Sequence, residues 1–181
     1  PDYVRLSGRP VLFIFGPQFL SETEWPAVRA KLKSNPLTFA LPHLSQRPGI
    51  DGAFAWVPVS EGRTIDVPAW TAELTALYEQ ERKAGRPFVS VAFPGYQDFY
   101  AQAGAGKSYG FIDRRGSRTF SESLRQALNS GAPIVQVATW NDYGEGTQIE
   151  PTIEHGSRDL TELQRHLRPD ADPAAFGNPR R

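Results

Sequence analysis

The sequence lacks cysteine and methionine, and its charges have no excess of either sign. Without cysteine, the chain has no disulfide, no thiolate nucleophile and no cysteine-ligated zinc site. Twenty basic residues balance twenty acidic ones, so no overall electrostatic field attracts nucleic acid or an anionic membrane. We therefore expect no nucleic-acid partner.

Long apolar runs are also missing. No stretch approaches the ~20 consecutive apolar residues that a membrane-spanning helix needs, so we expect no membrane span. No signal peptide is visible at the start of the chain. Because there is no initiator methionine, we expect a fragment, a processed product or a trimmed chain.

The composition that is present predicts one folded domain. The chain has 181 residues, of which 39% are hydrophobic, and this is enough for a single domain with a real core. We assign residues 1–168 to that domain. Residues 169–181 begin Pro-Asp-Ala-Asp-Pro and are expected to form a tail or a linker.

Apolar runs alternate with amphipathic segments along the chain. Five runs are typical of buried strands, and they cover residues 11–15, 38–41, 51–57, 87–93 and 134–138. Helices are expected after Ser21, around Trp70 and Leu74, over 120–129 and around Leu160. The stretch 99–118 is expected to be irregular. The order β-α-β-β-α-β-α-β-α predicts an α/β fold with a parallel sheet.

Two architectures fit five parallel strands, namely an open doubly wound sheet and part of an eight-stranded barrel. The first strand is not followed by the glycine-rich phosphate turn of a dinucleotide-binding sheet. Aromatic and polar residues instead follow every strand, and a (β/α)8 barrel builds its site from such strand ends. We therefore favour a partial barrel.

The most informative stretch is 133–151, where the last strand ends in clustered polar residues. Asp142 and Glu145 stand three positions apart just after the apolar run. Hydrolysis of a glycosidic bond needs one carboxyl group that is protonated near neutral pH and a second that is ionised. The competing interpretation is a capped turn in which Asp142 binds local backbone N–H groups and Glu145 is exposed.

Three motifs in this sequence resemble motifs of carbohydrate-active barrels. Trp140-Asn-Asp-Tyr-Gly-Glu-Gly-Thr-Gln-Ile-Glu-Pro151 resembles the last-strand motif of glycoside hydrolase family 99, the endo-α-mannosidases and endo-α-mannanases. Its Trp-Asn-Asp-Tyr-Gly-Glu core is even more similar to family 71, the α-1,3-glucanases. Pro94-Gly-Tyr-Gln-Asp98 and Asp51-Gly-Ala-Phe-Ala-Trp56 resemble further family 99 strand ends. The resemblance implies about strands four to eight of a (β/α)8 barrel.

The same resemblance implies a function and a site. It implies an endo-acting glycoside hydrolase of α-linked mannan or glucan, with Glu145 as general acid/base and Asp142 as the second carboxylate. Family 99 has Glu where this chain has Asp142, and His where it has Gly144, which favours the inverting family 71 type. Seven further residues are expected to contact the sugar: His43, Trp56, Tyr96, Asp98, Trp140, Asn141 and Tyr143.

Several alternatives remain open. Tyr96 and Asp98 could be simple turn residues, Trp56 could be core, and His43 could be an ordinary satisfied polar group. The basic run Arg114, Arg115 and Arg118 is read first as a solvated face and second as a contact to a distal sugar. His155 and His166 are expected to be solvated.

We expect no metal and no cofactor, because no His pair or acid cluster has ligand spacing. The expected partners are an oligosaccharide or polysaccharide and the missing N-terminal part of the same barrel. The runner-up functions are a glycosyltransferase-associated domain of a polysaccharide gene cluster and a non-catalytic carbohydrate-binding barrel. The sequence does not decide the location, and we favour a periplasmic or secreted one.

Overall fold

A computed structural model describes residues 3–16 and 19–170 of the chain. Nine strands and four helices occur among them, together with a 3-10 turn at Pro42–Leu44. The strands are β1 (Arg5–Leu6), β2 (Arg9–Ile14), β3 (Leu37–Ala40), β4 (Gly52–Phe54), β5 (Arg63–Thr64), β6 (Phe88–Ala92), β7 (Tyr96–Gln97), β8 (Gly110–Ile112) and β9 (Ile134–Val137). The helices are α1 (Glu24–Ala30), α2 (Val67–Lys83), α3 (Arg118–Asn129) and α4 (Arg158–Leu167).

The main sheet has six strands in the order β1-β2-β3-β4-β6-β9. β1 is antiparallel to β2, and the other five strands are parallel to one another. Their spatial order follows their order in the chain without a reversal. A doubly wound sheet reverses its order at a switch point, whereas a barrel adds each new strand on the same side. The topology is therefore that of a barrel segment.

The predicted parallel strands are all present, with ends shifted by a few residues. β6 lies between β4 and β9, and all five of its residues are buried. β9 lies at one end, and all four of its residues are only partly buried. Among the described residues β9 pairs with β6 alone, so its other edge is open. Five strands are too few to close an eight-stranded barrel.

Sequence signals for the helices also appear in the structure. The predicted capping box after Ser21 forms, because Glu24 Oε2 accepts from Ser21 N at 2.8 Å and Ser21 Oγ accepts from Glu24 N at 3.2 Å. Helix α2 begins after Asp66, whose carboxylate accepts from Ala69 N at 2.9 Å. Its apolar stripe buries Trp70, Leu74 and Tyr78, as the spacing predicts.

The two faces of the sheet carry separate cores. Helices α3 and α4 cover the β6 and β9 end of the outer face with a cluster of Ala92, Phe120, Leu124, Ile149 and Leu160. Helix α2 packs its buried stripe against Phe88 of β6. The inner face carries a cluster of Val11, Leu37, Phe39, Phe54 and Val89. The rings of Phe13 and Phe15, in and just after β2, extend this cluster toward the carboxyl ends of the strands by contacts with Phe54 and Trp56. Both rings are about half exposed.

One glycine is required by the close approach of two strands. A Cβ built on Gly52 of β4 would lie 1.9 Å from the backbone oxygen of Pro87. Any larger residue would have to push β4 away from the start of β6. The glycine of the Asp51-Gly motif therefore serves strand packing.

A second, smaller sheet takes one strand from the segment that was expected to be irregular. It has the order β5-β8-β7, and β8 falls inside residues 99–118. The expectation of a wholly irregular stretch is wrong at this point. These strands are two or three residues long, and they form by pairing with residues that are not neighbours in the chain, Arg63 with Gly110 and Tyr96 with Ile112, which local sequence patterns do not reveal.

Two further observations concern only the described residues. Within 3–16 and 19–170 no helix is both long enough and apolar enough to cross a bilayer. The same residues contain no group of three His, Asp or Glu side chains arranged to hold a metal ion. Of the predicted tail, residues 169 and 170 form a turn, and 171–181 lie outside the described part of the chain.

Candidate active site

The carboxyl ends of the parallel strands meet around one open cavity of about 830 Å³, which we call the main cavity. It is lined by four of the predicted site residues, namely His43, Trp56, Tyr96 and Glu145. Residues that follow β2, β3 and β4 form one wall, and the 96–109 segment forms the other. The volume lies within the range of ordinary ligand pockets, ~300–1,000 Å³.

Glu145 is the acid in this cavity, and its environment favours the protonated form. Burial raises the pKa of Glu145, and the nearby charges of Asp142 and Asp98 raise it further. The Tyr100 hydroxyl donates to Glu145 Oε1 at 3.1 Å, which opposes that rise. A glutamic acid whose pKa is raised at the edge of an open cavity can give a proton to a bound ligand.

The second carboxylate of the motif, Asp142, has a mainly local set of contacts. Its Oδ1 accepts from the backbone N–H of Glu145 at 3.0 Å, and its own N–H donates to Thr139 Oγ1 at 3.0 Å. This is the capped turn of the competing interpretation, and it orients the peptide that carries Glu145. Asp142 does not line the main cavity, although its charge reaches both Glu145 and Tyr100.

Asp98 is buried beneath the cavity wall. Its Oδ2 accepts from the backbone N–H of Tyr109 at 2.7 Å and from Ser108 Oγ at 3.1 Å. It therefore ties the two ends of the 98–109 segment together. That segment carries Tyr100 and Tyr109, whose rings meet edge to face at 5.6 Å between centroids.

Tyr96 and Tyr100 both approach Glu145 from the 96–109 segment. The Tyr96 hydroxyl is buried, and burial, together with the charges of Glu145 and Asp98, raises the pKa of Tyr96 far above its usual range. Burial and the charge of Glu145 raise the pKa of Tyr100 to about 12. Both phenols therefore stay protonated at neutral pH and can act as donors toward Glu145 or a ligand.

The remaining predicted contacts lie away from the main cavity. Trp140 and Asn141 are exposed and line none of the cavities described here. Tyr143 is also exposed and donates through its hydroxyl to Glu150 Oε2 at 2.8 Å. It lines a second cavity on the far side of the 143–148 loop. The sequence motif is thus split between two sides of one loop.

Arg114 holds this loop in place, a role that the sequence did not indicate. Its guanidinium donates to the backbone oxygens of Gly146 at 2.9 Å and Gln148 at 3.0 Å. It also forms an ion pair with Asp159 of α4 at 2.5 Å, in which the Arg114 side chain is 15% exposed and that of Asp159 is 3% exposed. The first interpretation of this arginine as part of a solvated face is therefore wrong.

The loop also depends on close packing at Gly146. A Cβ there would lie 2.8 Å from Gln97 O, and the residue has φ of +63°, in the left-handed region. The neighbouring N–H of Gln97 donates to Glu145 O at 2.9 Å. The loop is therefore seated on β7, and Glu145 is positioned through its own backbone.

Sequence reasoning missed Tyr100 and Tyr109, and it named Arg114 without its role in holding the loop. All three follow β7 in the segment that was expected to be irregular, where no periodic pattern distinguishes one residue from another. The only available signal was the two tyrosines flanking a glycine-rich run, Tyr100 to Tyr109. The two tyrosines reach the site because Asp98 joins the two ends of the 98–109 segment.

Comparison with solved structures identifies the fold. Two structures of the glycoside hydrolase family 99 endo-α-mannosidase from Bacteroides thetaiotaomicron match with TM-scores of 0.62 and 0.63, each at 20% identity, over 83% and 84% of this chain. A structure described as a glycoside hydrolase-like protein matches with a TM-score of 0.58 at 16% identity over 91% of this chain. No family profile and no curated protein sequence matches.

The chain thus has a family 99-like fold, and its five parallel strands are part of a (β/α)8 barrel. The predicted resemblance to family 99 is confirmed at the level of the fold. The chain spans about half of each solved chain, 50%, 48% and 55% respectively.

Proposed function

We propose that this chain carries the acid/base half of a glycoside hydrolase site that cleaves α-linked mannan or glucan within the polymer. One observation carries the proposal: Glu145 lies in an open, aromatic-lined cavity at the carboxyl ends of parallel strands, where burial raises its pKa. The family 99-like fold supports it, because the matching solved structures include an endo-α-mannosidase.

The cavity walls suit a sugar bound next to Glu145. Trp56, Tyr100 and Tyr109 offer aromatic faces, and His43 and Lys107 offer polar groups at the opening. A sugar ring held against such faces would place its glycosidic oxygen near the Glu145 carboxyl group. Proton transfer to that oxygen lets the leaving sugar depart as an alcohol.

Asp142 is proposed as the second carboxylate, and the contacts of its turn limit what it can do. One of its oxygens accepts from Glu145 N, which leaves the other for a water or a sugar hydroxyl. An Asp in place of the family 99 Glu is one methylene shorter. We therefore favour activation of water, and hence inversion of the anomeric centre, over attack by the sugar's own 2-hydroxyl.

The second candidate is a non-catalytic carbohydrate-binding barrel. It is favoured by one specific observation, namely that Asp142 caps a turn and does not line the main cavity. A barrel with a single carboxylic acid at its strand ends could bind sugars through its aromatic wall without hydrolysing them. The other alternative, a glycosyltransferase-associated domain, would likewise have only one carboxylic acid in the main cavity.

A hydrolysis screen separates these functions. The full-length protein would be incubated with α-1,6-, α-1,2- and α-1,3-linked mannans and glucans, and the product anomers followed by NMR. We expect release of oligosaccharides from one of these polymers, with the anomer opposite to that of the substrate. Binding to a polymer without any product would favour the binding barrel instead.

The open edge of β9 is where we propose that the N-terminal part of the same barrel docks. The edge offers unpaired backbone groups beside partly buried apolar side chains, and the solved structures are about twice as long as the matched segment. Amide hydrogen exchange in the full-length protein tests this proposal. We expect residues 134–137 to be protected nearly as well as β6, and rapid exchange confined to β9 would contradict it.

Tyr100→Phe is expected to shift the pH profile of hydrolysis. The Tyr100 hydroxyl donates to Glu145 and stabilises the ionised carboxylate, so its loss raises the pKa of Glu145 further. The general acid then stays protonated to higher pH, and the alkaline limb of kcat/KM moves upward. Tyr109→Phe is the matched control, because Tyr109 lines the same cavity and leaves the Glu145 contact intact. A downward shift in Tyr100→Phe would contradict this assignment.

A further inference from the structure

The cavity behind the 143–148 loop has no part in the proposed reaction. It has a volume of about 570 Å³, and we call it the outer cavity; among its lining residues are Phe99, Phe111, Gln148 and Arg158. Tyr96 and the backbone of residues 143–146 separate it from the main cavity. Its volume is large enough for one or two hexose units.

Three aromatic side chains that line this cavity are unusually exposed. Phe99 is 50% exposed, Phe111 is 37% exposed and Tyr143 is 48% exposed. They come from three separate segments of the chain, so no single amphipathic element explains their exposure. Large aromatic side chains left half open to water around one concavity are typical of a ligand site.

The charged groups around the outer cavity are of both signs. Arg114 and Arg115 are engaged with Asp159 and Glu122. The carboxylates of Asp113 and Glu154 lie exposed at the rim. Such a mixture repels a strongly anionic ligand as much as it attracts one, so the cavity is not a phosphate or sulfate site.

Arg158 supplies donors that no carboxylate takes up. Within the described ranges no carboxylate oxygen lies within 4 Å of its guanidinium, and its Nη2 donates to His155 Nδ1 at 3.1 Å. Burial and the charges of Arg114 and Arg158 lower the pKa of His155, which favours the neutral ring, whose Nδ1 can accept. His155 therefore accepts a hydrogen bond from Arg158 in the cavity wall, and the expectation that His155 is solvated is wrong.

We propose that the outer cavity binds a neutral hexose unit of a polysaccharide, separately from the site of hydrolysis. The half-exposed aromatics provide faces for the C–H side of a sugar ring, Arg158 provides donors, and the rim carboxylates provide acceptors for hydroxyl groups. The sugar class rests on the proposed function. The site would hold a polymer chain beside the loop that carries Glu145. The polymer would therefore stay close to the main cavity.

Affinity electrophoresis of the full-length protein tests this proposal. The protein would be run in native gels with and without α-mannan or α-glucan, and hydrolysis of a short soluble oligosaccharide would be measured in parallel. Phe111→Ala removes an exposed ring from β8, and Phe99→Ala removes a second one from another segment. Leu128→Ala is the control, since Leu128 is 42% exposed and lines neither cavity. None of these substitutions changes the net charge, so mobility without polysaccharide reports folding.

We expect Phe111→Ala and Phe99→Ala to be retained about tenfold less strongly by the polymer, with cleavage of the short oligosaccharide unchanged. Retention equal to that of Leu128→Ala in both variants would overturn the outer cavity as a sugar site, even if the protein hydrolyses the polymer. Retention that depends on Phe111 in a protein without hydrolytic activity would support the outer cavity and count against the proposed function.

Discussion

Glu145→Gln is expected to reduce hydrolysis at least about 100-fold while leaving polysaccharide binding largely intact. General acid catalysis contributes ~10²–10⁴-fold to such reactions, and an amide cannot give a proton to the leaving oxygen. The variant keeps the shape of the side chain and an acceptor for the Tyr100 hydroxyl. Turnover would be followed by release of reducing ends from the polymer identified in the hydrolysis screen.

Glu150→Gln is the matched control for this experiment. Glu150 belongs to the same motif, accepts from the Tyr143 hydroxyl and lines neither cavity. A glutamine oxygen can still accept that bond, so we expect activity within a few-fold of the original. If Glu145→Gln kept most of its turnover, Glu145 would not be the proton donor. Equal losses in both variants would indicate damage to the loop.

The same Glu145→Gln variant should also change stability with pH. Burial raises the pKa of Glu145 in the folded chain above its value in the unfolded chain. The wild-type protein therefore loses stability as pH rises from the ordinary glutamate value through the raised one. Glutamine does not titrate, so the variant should gain stability relative to wild type across that window and above it. Thermal melts at acidic and neutral pH would measure the gain.

Arg114→Met is expected to lower the free energy of unfolding by about 3–5 kcal/mol. It leaves Asp159 buried without its partner, and breaking one side of a buried ion pair costs roughly that amount. Burial already raises the pKa of Asp159, and Arg114 is the main group that opposes this rise. The loop that carries Glu145 would also lose its two contacts at Gly146 and Gln148. Urea unfolding measured at neutral pH gives the loss directly.

Two further variants show whether the ion pair causes this loss. Arg118→Met changes an exposed arginine of the same basic run, and we expect a change within about 0.5 kcal/mol. Adding Asp159→Leu to Arg114→Met should restore part of the stability, because the unpaired buried charge is then gone. If the double variant were as unstable as the sum of the single ones, the coupling between Arg114 and Asp159 would be negligible.

Much of the main sheet could be predicted from the sequence because its signals are local. Runs such as Phe88–Ala92 are apolar on both faces, as buried parallel strands require, and the capping box at Ser21 and Glu24 marks a helix start. The order of these segments predicted an α/β fold with a parallel sheet, and the residues at the strand ends favoured a partial barrel. The motif around Glu145 drew attention to this loop, because it resembles the last-strand motif of glycoside hydrolase family 99.

The contacts within that loop could not be predicted in this way. Asp142 and Glu145 look equivalent in the sequence, three residues apart, yet one binds the backbone beside it and the other lines the main cavity. Which carboxylate faces the cavity depends on the turn conformation, and this depends on how the loop packs against Gln97. Gln97 is far from this loop in the chain, so local sequence does not reveal the contact.

By itself, the sequence determined the five main parallel strands, the helices and the loop that holds the candidate acid, because hydrophobic periodicity and capping act within a few residues. Tertiary structure alone decided which polar groups surround that acid. Tyr100 and Glu145 are 45 positions apart in the chain, and so are Arg114 and Asp159. Such contacts form only when separate strands come together at one edge of the sheet, where burial raises the pKa of Glu145 and the surrounding groups modify that rise.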